Sequence, residues 1–304
     1  MNKLTQMHLG LFLTVVASLC FAFPPVLMKF LIGEISPSTA LAVRFFIAAV
    51  FFALFSCIVH KKHIWDITRK EAELFALLGF VLFGSTIALF YSFLYIPANM
   101  AMLIFITYPI VDSILALFLL KEKITTADWI AIALTMIGGY VIYGHNLAVH
   151  ALGYGLAGIG TVFFAGFLVL SRKLSKHHTN SFYKRTVWLF IFTFLFFALA
   201  AAAETPSEVL HISVMGWVWL FLLGTLATVV PYVCLSYSSG LLKSSVVSLI
   251  IIFGHISSIG LVSIIFHETL TLNMYIGGGM IFLAFLITTI AEWESEEKRF
   301  HHWH

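Results

Sequence analysis

Charged side chains are scarce in this sequence. Asp, Glu, Lys and Arg together make up 10% of the residues, and hydrophobic residues make up 61%, whereas about a quarter of an ordinary soluble domain is charged. The charges lie in short groups between apolar runs of roughly 20 residues, the length of a helix that crosses a bilayer. A soluble fold could not bury this much apolar surface, so the composition predicts an all-α integral membrane protein.

The sequence patterns of enzymes and ATP-driven pumps are also missing. The chain has no Gly-x-Ser-x-Gly, no His-Glu-x-x-His and no phosphate-binding lysine loop, and its loops are too short for a nucleotide-binding domain. The run Gly277–Gly279 is typical of a helix-packing surface. No second histidine lies at metal-ligand spacing within the apolar runs. We therefore expect neither an enzyme nor a bound metal or cofactor.

Cysteines are few, and they carry no information about the redox compartment, because Cys20, Cys57 and Cys234 all lie in apolar runs. The net charge of +3 does not indicate nucleic-acid binding, because the basic residues border apolar runs, where membrane topology explains them. The first run, Leu9 to Phe30, is too long for a secretory signal and lacks a small-residue cleavage site. We expect it to remain as the first membrane span.

The apolar runs predict ten transmembrane helices. Their approximate limits are 9–30, 38–59, 72–95, 98–119, 127–144, 152–171, 184–203, 214–237, 243–265 and 272–291. Ten spans place both termini on one side of the membrane, and of the 17 basic residues only Lys29 and Arg44 fall away from that side. The positive-inside rule then predicts a multi-pass protein of the bacterial inner membrane with both termini in the cytoplasm.

The two halves of the sequence resemble each other. The fourth predicted span ends at Glu122, which Thr125 follows, and the ninth ends at Glu268, which Thr271 follows at the same spacing. Five spans are an odd number, so the second half must enter the membrane upside down relative to the first. Both glutamates lie at the membrane boundary, where we expect them to hydrogen-bond loops and the start of the next helix. The predicted inverted repeats are residues 1–146 and 147–304.

These features resemble the EamA-type branch of the drug/metabolite transporter superfamily. The resemblance is carried by Lys29 closing the first span, the run Ala42–Phe45, Pro109, the run Leu120–Thr125 and the run Phe266–Leu270. It implies ten spans around a central cavity lined by spans 1, 3, 4, 6, 8 and 9. It also implies secondary transport, more specifically export of a small metabolite such as an amino acid or a derivative. Coupling to protons is a separate hypothesis, which rests on the depth of Asp112 and His255 in their spans. An uncoupled facilitator or channel and a multidrug or cation efflux carrier stay open as alternatives.

Polar residues inside spans are costly, so each is a candidate functional residue. Asp112 lies midway along the fourth span, one turn after Tyr108. It could carry a proton or bind a substrate amine, or be fixed to a neighbouring helix. His255 stands where family members usually have the proline equivalent to Pro109. Its unperturbed pKa of about 6.5 would suit substrate contact or proton relay, and the alternative is a hydrogen bond between helices.

Two further residues complete the predicted substrate-binding set of Lys29, Tyr108, Asp112, Tyr232 and His255. Lys29 shares a helix face with Pro25 and could line the cavity, or extend to the outer interface as an anchor. Tyr232 follows Thr225 and Thr228 in a polar stripe that indicates a pocket wall, although aromatic residues in spans often serve packing alone. Membrane lipids and a small molecule are the partners that we expect, and the sequence leaves the oligomeric state open.

A second set of residues is predicted to act in gating or in the architecture. Arg44 lies near the start of the second span, where it could be a structural or gating cation with Glu34 as its partner. Pro25, Pro109 and Pro231 remove backbone hydrogen bonds within their spans. They predict either flex points for alternating access or static kinks that improve packing.

Overall fold

The computed structural model describes residues 3–60, 64–119, 126–143, 150–177, 182–204, 206–238, 241 and 244–301. These residues are almost entirely helical and include no strand, which confirms the all-α prediction. The helices are α1 (Lys3–Cys20), α2 (Phe23–Leu31), α3 (Pro37–His60), α4 (Arg69–Ser92), α5 (Ala98–Phe105), α6 (Tyr108–Leu119), α7 (Thr126–Tyr143), α8 (Ala151–His177), α9 (Phe182–Ala203), α10 (Val214–Gly224), α11 (Val230–Ser238), α12 (Ser244–Ile265) and α13 (Leu272–His301). A 3-10 helix (Pro206–His211) precedes α10, and a π-helical segment (Thr225–Val229) joins α10 to α11.

Seven stretches of the described chain are long and apolar enough to cross a membrane. They are Thr5–Leu31, Pro37–Ile58, Arg69–Ser92, Ala98–Leu119, Ala151–Ser171, Phe182–Ala203 and Val214–Leu235. Three shorter apolar helices are Trp129–Ile142, Phe253–Ile265 and Leu272–Thr288. The protein is therefore a multi-pass membrane protein. The ten predicted spans coincide with these stretches, while the crossing of the bilayer by all ten stays a prediction.

Side-chain contacts connect the helices at two opposite ends of the bundle. At one end, called here the Glu204 end, Ser38 at the start of α3 donates a hydrogen bond to Glu204 at the end of α9. At the other end, the Lys184 end, Lys184 at the start of α9 forms an ion pair of 3.0 Å with Glu71 at the start of α4. Helices α3 and α9 therefore run in opposite directions, as the inverted-repeat hypothesis requires of the second span of each half.

The packing of the helices follows a twofold pattern. The second and fifth spans of each half pack against their own counterparts, α3 against α9 and α7 against α13. Helix α1, from the first span, packs against α11 and α12, and α8, its counterpart in the second half, packs against α4 and α6. Exchanging the two halves reproduces these pairings, so the structure fits a fold of two related repeats.

Two glycines set the distance between α7 and α13. A Cβ atom at Gly138 would lie 2.7 Å from the carbonyl oxygen of Gly277, and a Cβ atom at Gly277 would collide with the carbonyl oxygen of Gly138. A Cβ atom at Gly139 or Gly279 would meet nothing within 4 Å. Small residues let helix backbones approach closely in a membrane, so Gly277 serves helix packing, as its sequence context predicts.

Replacing Gly277 by alanine is therefore expected to lower the melting temperature of the purified protein. The added methyl group forces the backbones of α7 and α13 apart, which costs about 1–3 kcal/mol. Gly279→Ala is the matched control on the same helix, and it should leave the melting temperature unchanged or slightly higher. Equal melting temperatures for the two variants would contradict the close contact between α7 and α13.

Candidate functional site

Three of the predicted spans are interrupted near their middle. A proline ring clashes with the carbonyl group four residues earlier. Pro24 stands four residues after Cys20, where α1 ends, and Pro109 stands four residues after Phe105, where α5 ends. In the eighth span the α-helix changes at Thr225 to a π-helical segment, which ends two residues before Pro231 and contains Ala227, four residues before that proline. Proline sterics thus account for the position of each interruption.

Aromatic rings from five spans meet beside these interruptions. This central aromatic cluster consists of Phe21, Phe105, Tyr108, Phe164, Tyr232 and His255. The His255 ring stacks on Phe21 with centroids 6.0 Å apart and ring planes 17° apart. It also lies 5.9 Å from Phe105 and 6.0 Å from Tyr108. Phe21 connects this group to Tyr232, whose centroid is 6.0 Å away. Three predicted substrate-binding residues, Tyr108, Tyr232 and His255, are therefore brought together.

Sequence reasoning missed the phenylalanines of the cluster. The chain contains 31 phenylalanines, and residues that meet from different helices share no spacing along the chain. A usable signal was nevertheless present. Phe21 stands four residues before Pro25, and Phe105 stands four residues before Pro109, so each interruption in the first half places a phenylalanine at the bundle centre.

His255 makes ring contacts rather than hydrogen bonds to neighbouring helices. Among the described residues, its hydrogen-bond partner is the carbonyl oxygen of Ile251 in the preceding turn, 3.4 Å from Nδ1. Helix α12 continues unbroken through this position, whereas the first half is interrupted at Pro109. The alternative prediction, a hydrogen bond between helices, is not seen in the described part of the chain. Helix α12 is thus continuous at His255, where the first half has a proline and an interruption.

Asp112 lies one turn beyond Tyr108 on α6, at the edge of the central aromatic cluster. Its side chain is half-buried, and its carboxylate is close enough to act electrostatically on the Tyr108 hydroxyl. Because α5 and α6 are interrupted immediately before Tyr108, these two polar side chains project from the first turns of a new helix. The arrangement places an acidic group beside a set of aromatic rings.

Lys29 lies outside the central aromatic cluster, eight residues beyond Phe21 near the end of α2. It forms an ion pair with Glu268, between α12 and α13, and its Nζ atom lies 4.7 Å from the centroid of the Phe266 ring. The structure therefore separates Lys29 from the other predicted substrate-binding residues and places it in a contact between the first and ninth spans.

Glu268 connects three spans at the Glu204 end. Besides its pair with Lys29, its carboxylate accepts hydrogen bonds from the backbone N–H groups of Ala98 and Asn99, at 3.1 and 2.9 Å. These are the first residues of α5, so the carboxylate caps a helix N-terminus, where negative charge is favoured. The role of Glu268 is architectural, as expected, but the helix that it caps is α5 of the first half and not the next helix, α13. Its counterpart Glu122 lies outside the described residues.

Arg44 does not pair with Glu34, so that prediction was wrong. Its Nε atom donates a hydrogen bond of 2.9 Å to the Thr228 hydroxyl oxygen in the π-helical segment. Glu34 accepts hydrogen bonds instead from the Ser213 hydroxyl, at 2.9 and 3.0 Å. Glu34 lies in the turn before α3, ten residues before Arg44. Arg44 is seven residues beyond Pro37, the first residue of α3, which places it about 10 Å along the helix axis. Arg44 therefore lies too deep in the bundle to reach the turn.

Interrupted helices that meet around a central site in a multi-pass bundle are characteristic of secondary transporters. Comparison with known proteins agrees with this class. The profile of the EamA-like transporter family matches residues 8–144 and 151–290. The two matches cover most of the chain, one in each half. The chain therefore belongs to the EamA-like transporter family.

Relatives from other organisms are also described as transporters. An uncharacterised transporter of Archaeoglobus fulgidus is 29% identical over 170 residues, which are 56% of this chain and 59% of that protein. An uncharacterised transporter of Synechocystis sp. is 29% identical over 99 residues, which are 31% of this chain and 30% of that protein. The chain thus matches less than two thirds of the length of each. A crystal structure with 16% sequence identity shares the fold, with a TM-score of 0.64 over 97% of this chain and all of that chain.

Glu268→Ala is expected to destabilise the protein more than Lys29→Ala. The first change removes the ion pair and both bonds that cap α5, which together contribute about 2–4 kcal/mol. The second change leaves the capping bonds in place. Melting temperatures in detergent measure both effects. Glu73→Ala is the control, because it breaks only the exposed pair with Arg69 and should change little. A larger effect at Lys29 than at Glu268 would contradict the capping role.

Proposed function

We propose that this protein is a secondary carrier that moves a small amphipathic metabolite out of the cell by alternating access. In this proposal ten spans cross the bacterial inner membrane as two inverted repeats, residues 1–146 and 147–304, with both termini in the cytoplasm. The observation that carries the proposal is the central aromatic cluster, which joins spans from both halves beside three interrupted helices. Family membership supports the transporter class and a non-enzymatic role, while substrate, direction and coupling belong to the proposal.

The cluster suits the apolar part of a substrate. Aromatic faces contact flat or aliphatic groups without needing a fixed orientation, and tyrosine hydroxyls add hydrogen bonds at the edge. The helix interruptions free backbone carbonyl groups for polar contacts, which is tolerated in a membrane only where the backbone faces protein or a water-filled cavity. An amino acid or a derivative would meet both requirements, with its side chain among the rings and its polar groups at Tyr108, Asp112 or Tyr232.

Alternating access then follows from the packing of the two halves. In the proposed topology the Glu204 end faces the cell exterior. The contacts of Glu268 hold spans 1, 4 and 9 together there, so release of the substrate to the outside requires these contacts to separate. The interruptions beside Pro25, Pro109 and Pro231 give spans 1, 4 and 8 points at which to bend. Lipids surround the bundle in this proposal.

A multidrug or cation efflux carrier is the second candidate function. Asp112 beside Tyr108, a member of the central aromatic cluster, favours it, because aromatic faces and a carboxylate are the groups that attract organic cations. Zwitterionic metabolites and organic cations share the positive group and differ in the negative one. A ligand screen therefore separates the two candidates directly.

A thermal-shift screen of the purified protein against amino acids, their derivatives, nucleosides and cationic drugs tests the proposal. A ligand that binds the folded state raises the melting temperature by mass action. We expect a hit whose shift is lost in Tyr108→Ala and His255→Ala and is retained in Tyr140→Ala, which changes an exposed tyrosine on α7. A shift that survives both changes in the central aromatic cluster would move the site elsewhere.

Proton coupling is tested with the same ligand in proteoliposomes. If Asp112 or His255 carries a proton, an imposed pH gradient drives uptake of the ligand in the wild type, and Asp112→Asn or His255→Gln abolishes the response. The uncoupled alternative, a facilitator or channel, gives flux that ignores the gradient, and a channel would also exceed carrier turnover rates. Wild-type gradient response in both variants would remove these two residues from coupling.

A further inference from the structure

Arg44 is a buried cation without a carboxylate partner in the described part of the chain. Its side chain lies inside the bundle, and the residue is 7% exposed. Its hydrogen bond goes to the neutral Thr228 hydroxyl oxygen, and its guanidinium lies 5.2 Å from the centroid of the Phe45 ring and 6.0 Å from that of Phe90. These contacts stabilise the cation but do not neutralise it.

A buried charge without an opposite charge is costly. Removing a charged group from water costs several kcal/mol even after the surroundings relax, and ring faces return only about 1–2 kcal/mol. The bond through Nε also leaves the two terminal nitrogens of the guanidinium, with their N–H donors, available. Two other cations of the bundle each form an ion pair with a glutamate. Lys29 pairs with Glu268, and Lys184 pairs with Glu71. Arg44 has no such partner among the described residues, so its charge calls for a negative group from outside the chain.

Arg44 also lies beside the central aromatic cluster. Thr228, which accepts the hydrogen bond from Arg44, lies four residues before Tyr232 of the cluster. Helix α9, which carries Arg185, contacts the Tyr232 ring through Phe190, with centroids 5.0 Å apart. Both cations act electrostatically on Tyr232. Arg185 projects from α9, where its guanidinium lies 5.8 Å from the centroid of the Phe182 ring. Two cations thus border the cluster at Tyr232, whereas the carboxylate of Asp112 borders it at Tyr108. The proposed substrate site has a positive edge and a negative edge.

We propose that Arg44, with Arg185 and the Tyr232 hydroxyl, forms a subsite for the carboxylate or phosphate group of the transported metabolite. The inference rests on the proposed function, since it assigns a charge to the substrate of that site. The flat guanidinium group of Arg44 matches an oxyanion through two parallel hydrogen bonds. The apolar part of the same metabolite lies against Phe21 and His255. A metabolite without an oxyanion leaves the charge of Arg44 uncompensated and binds more weakly.

Four water-soluble probes with one ring test the subsite. They are phenylacetate, phenyl phosphate, neutral phenylacetamide and cationic phenethylamine, and their binding to the purified protein is measured by calorimetry at millimolar concentrations. We expect phenylacetate or phenyl phosphate to bind more tightly than the amide, and the tighter of the two identifies the oxyanion. Equal binding of the anions and the amide, preference for the amine, or no binding of either anion overturns the proposal.

Variants separate an anion subsite from a structural role of Arg44. Arg44→Gln should weaken the preferred anion roughly ten- to hundredfold, the effect of losing a charged hydrogen-bond pair, and leave the amide within a factor of about two. Arg44→Lys should lie between Arg44→Gln and the wild type. Thr228→Val removes the hydrogen bond but keeps the cation, so it should retain the anion preference. Arg69→Gln, at an exposed arginine, is the control. An equal loss of anion and amide binding in Arg44→Gln would show a structural role and overturn the proposal.

Two further arms identify the source of the anion and separate this inference from the proposed function. Competition by added phosphatidylglycerol, but not phosphatidylcholine, would assign the subsite to lipid headgroups and overturn its assignment to the substrate. Proteoliposome flux of the preferred anion, reduced in Arg44→Gln, would support both proposals. Flux of the amide or amine without an anion preference would overturn the subsite alone. Anion binding without flux of any probe would overturn the carrier proposal and keep an anion-binding site.

Discussion

In a bilayer the backbone has no water to bond with, and every break in a helix exposes polar groups that must be satisfied elsewhere. This constraint governs the structure. The described chain is helical wherever it crosses the apolar layer, and the interruptions in α1–α2, in α5–α6 and before Pro231 lie where several helices surround them. The breaks are therefore placed in the protein interior, beside the aromatic rings that we assign to the substrate, and not on the lipid side.

The helix pairings follow the twofold pattern, but the continuity of the helices does not. Spans 1, 4 and 8 are interrupted, while their counterparts α8, α12 and α4 are continuous. The difference has a simple origin in the fourth and ninth spans, where Pro109 in the first half corresponds to His255 in the second. The two halves share a packing pattern, and the difference between Pro109 and His255 accompanies an interrupted span in one half and a continuous one in the other. The interruptions belong mostly to the first half.

Much of the fold could be predicted from the sequence, because lipid imposes a uniform length and composition on each span. The positions of the interruptions also followed from proline sterics. The candidate site was only partly predictable. Tyr108, Tyr232 and His255 were identified because polar atoms in apolar runs are rare, but Phe21 and Phe164 were hidden among many phenylalanines. The partner expected for Arg44 was wrong and the partner of Lys29 was not predicted, since a charge pattern along one chain does not show which helix lies opposite. Only tertiary packing assigned Lys29 to Glu268 and Arg44 to Thr228.

The carboxylate of Glu268 belongs to the second half of the chain, whereas Lys29, Ala98 and Asn99 belong to the first. Separation of the halves at that end must therefore break three bonds to this one side chain, in addition to the bond between Ser38 and Glu204. In the proposed carrier, the free energy of opening includes the loss of all these contacts. A population ratio between two conformations depends exponentially on such an energy. In the proposed carrier, Glu268 therefore helps to set the fraction of time that the protein is open at the Glu204 end, although it lies outside the central aromatic cluster.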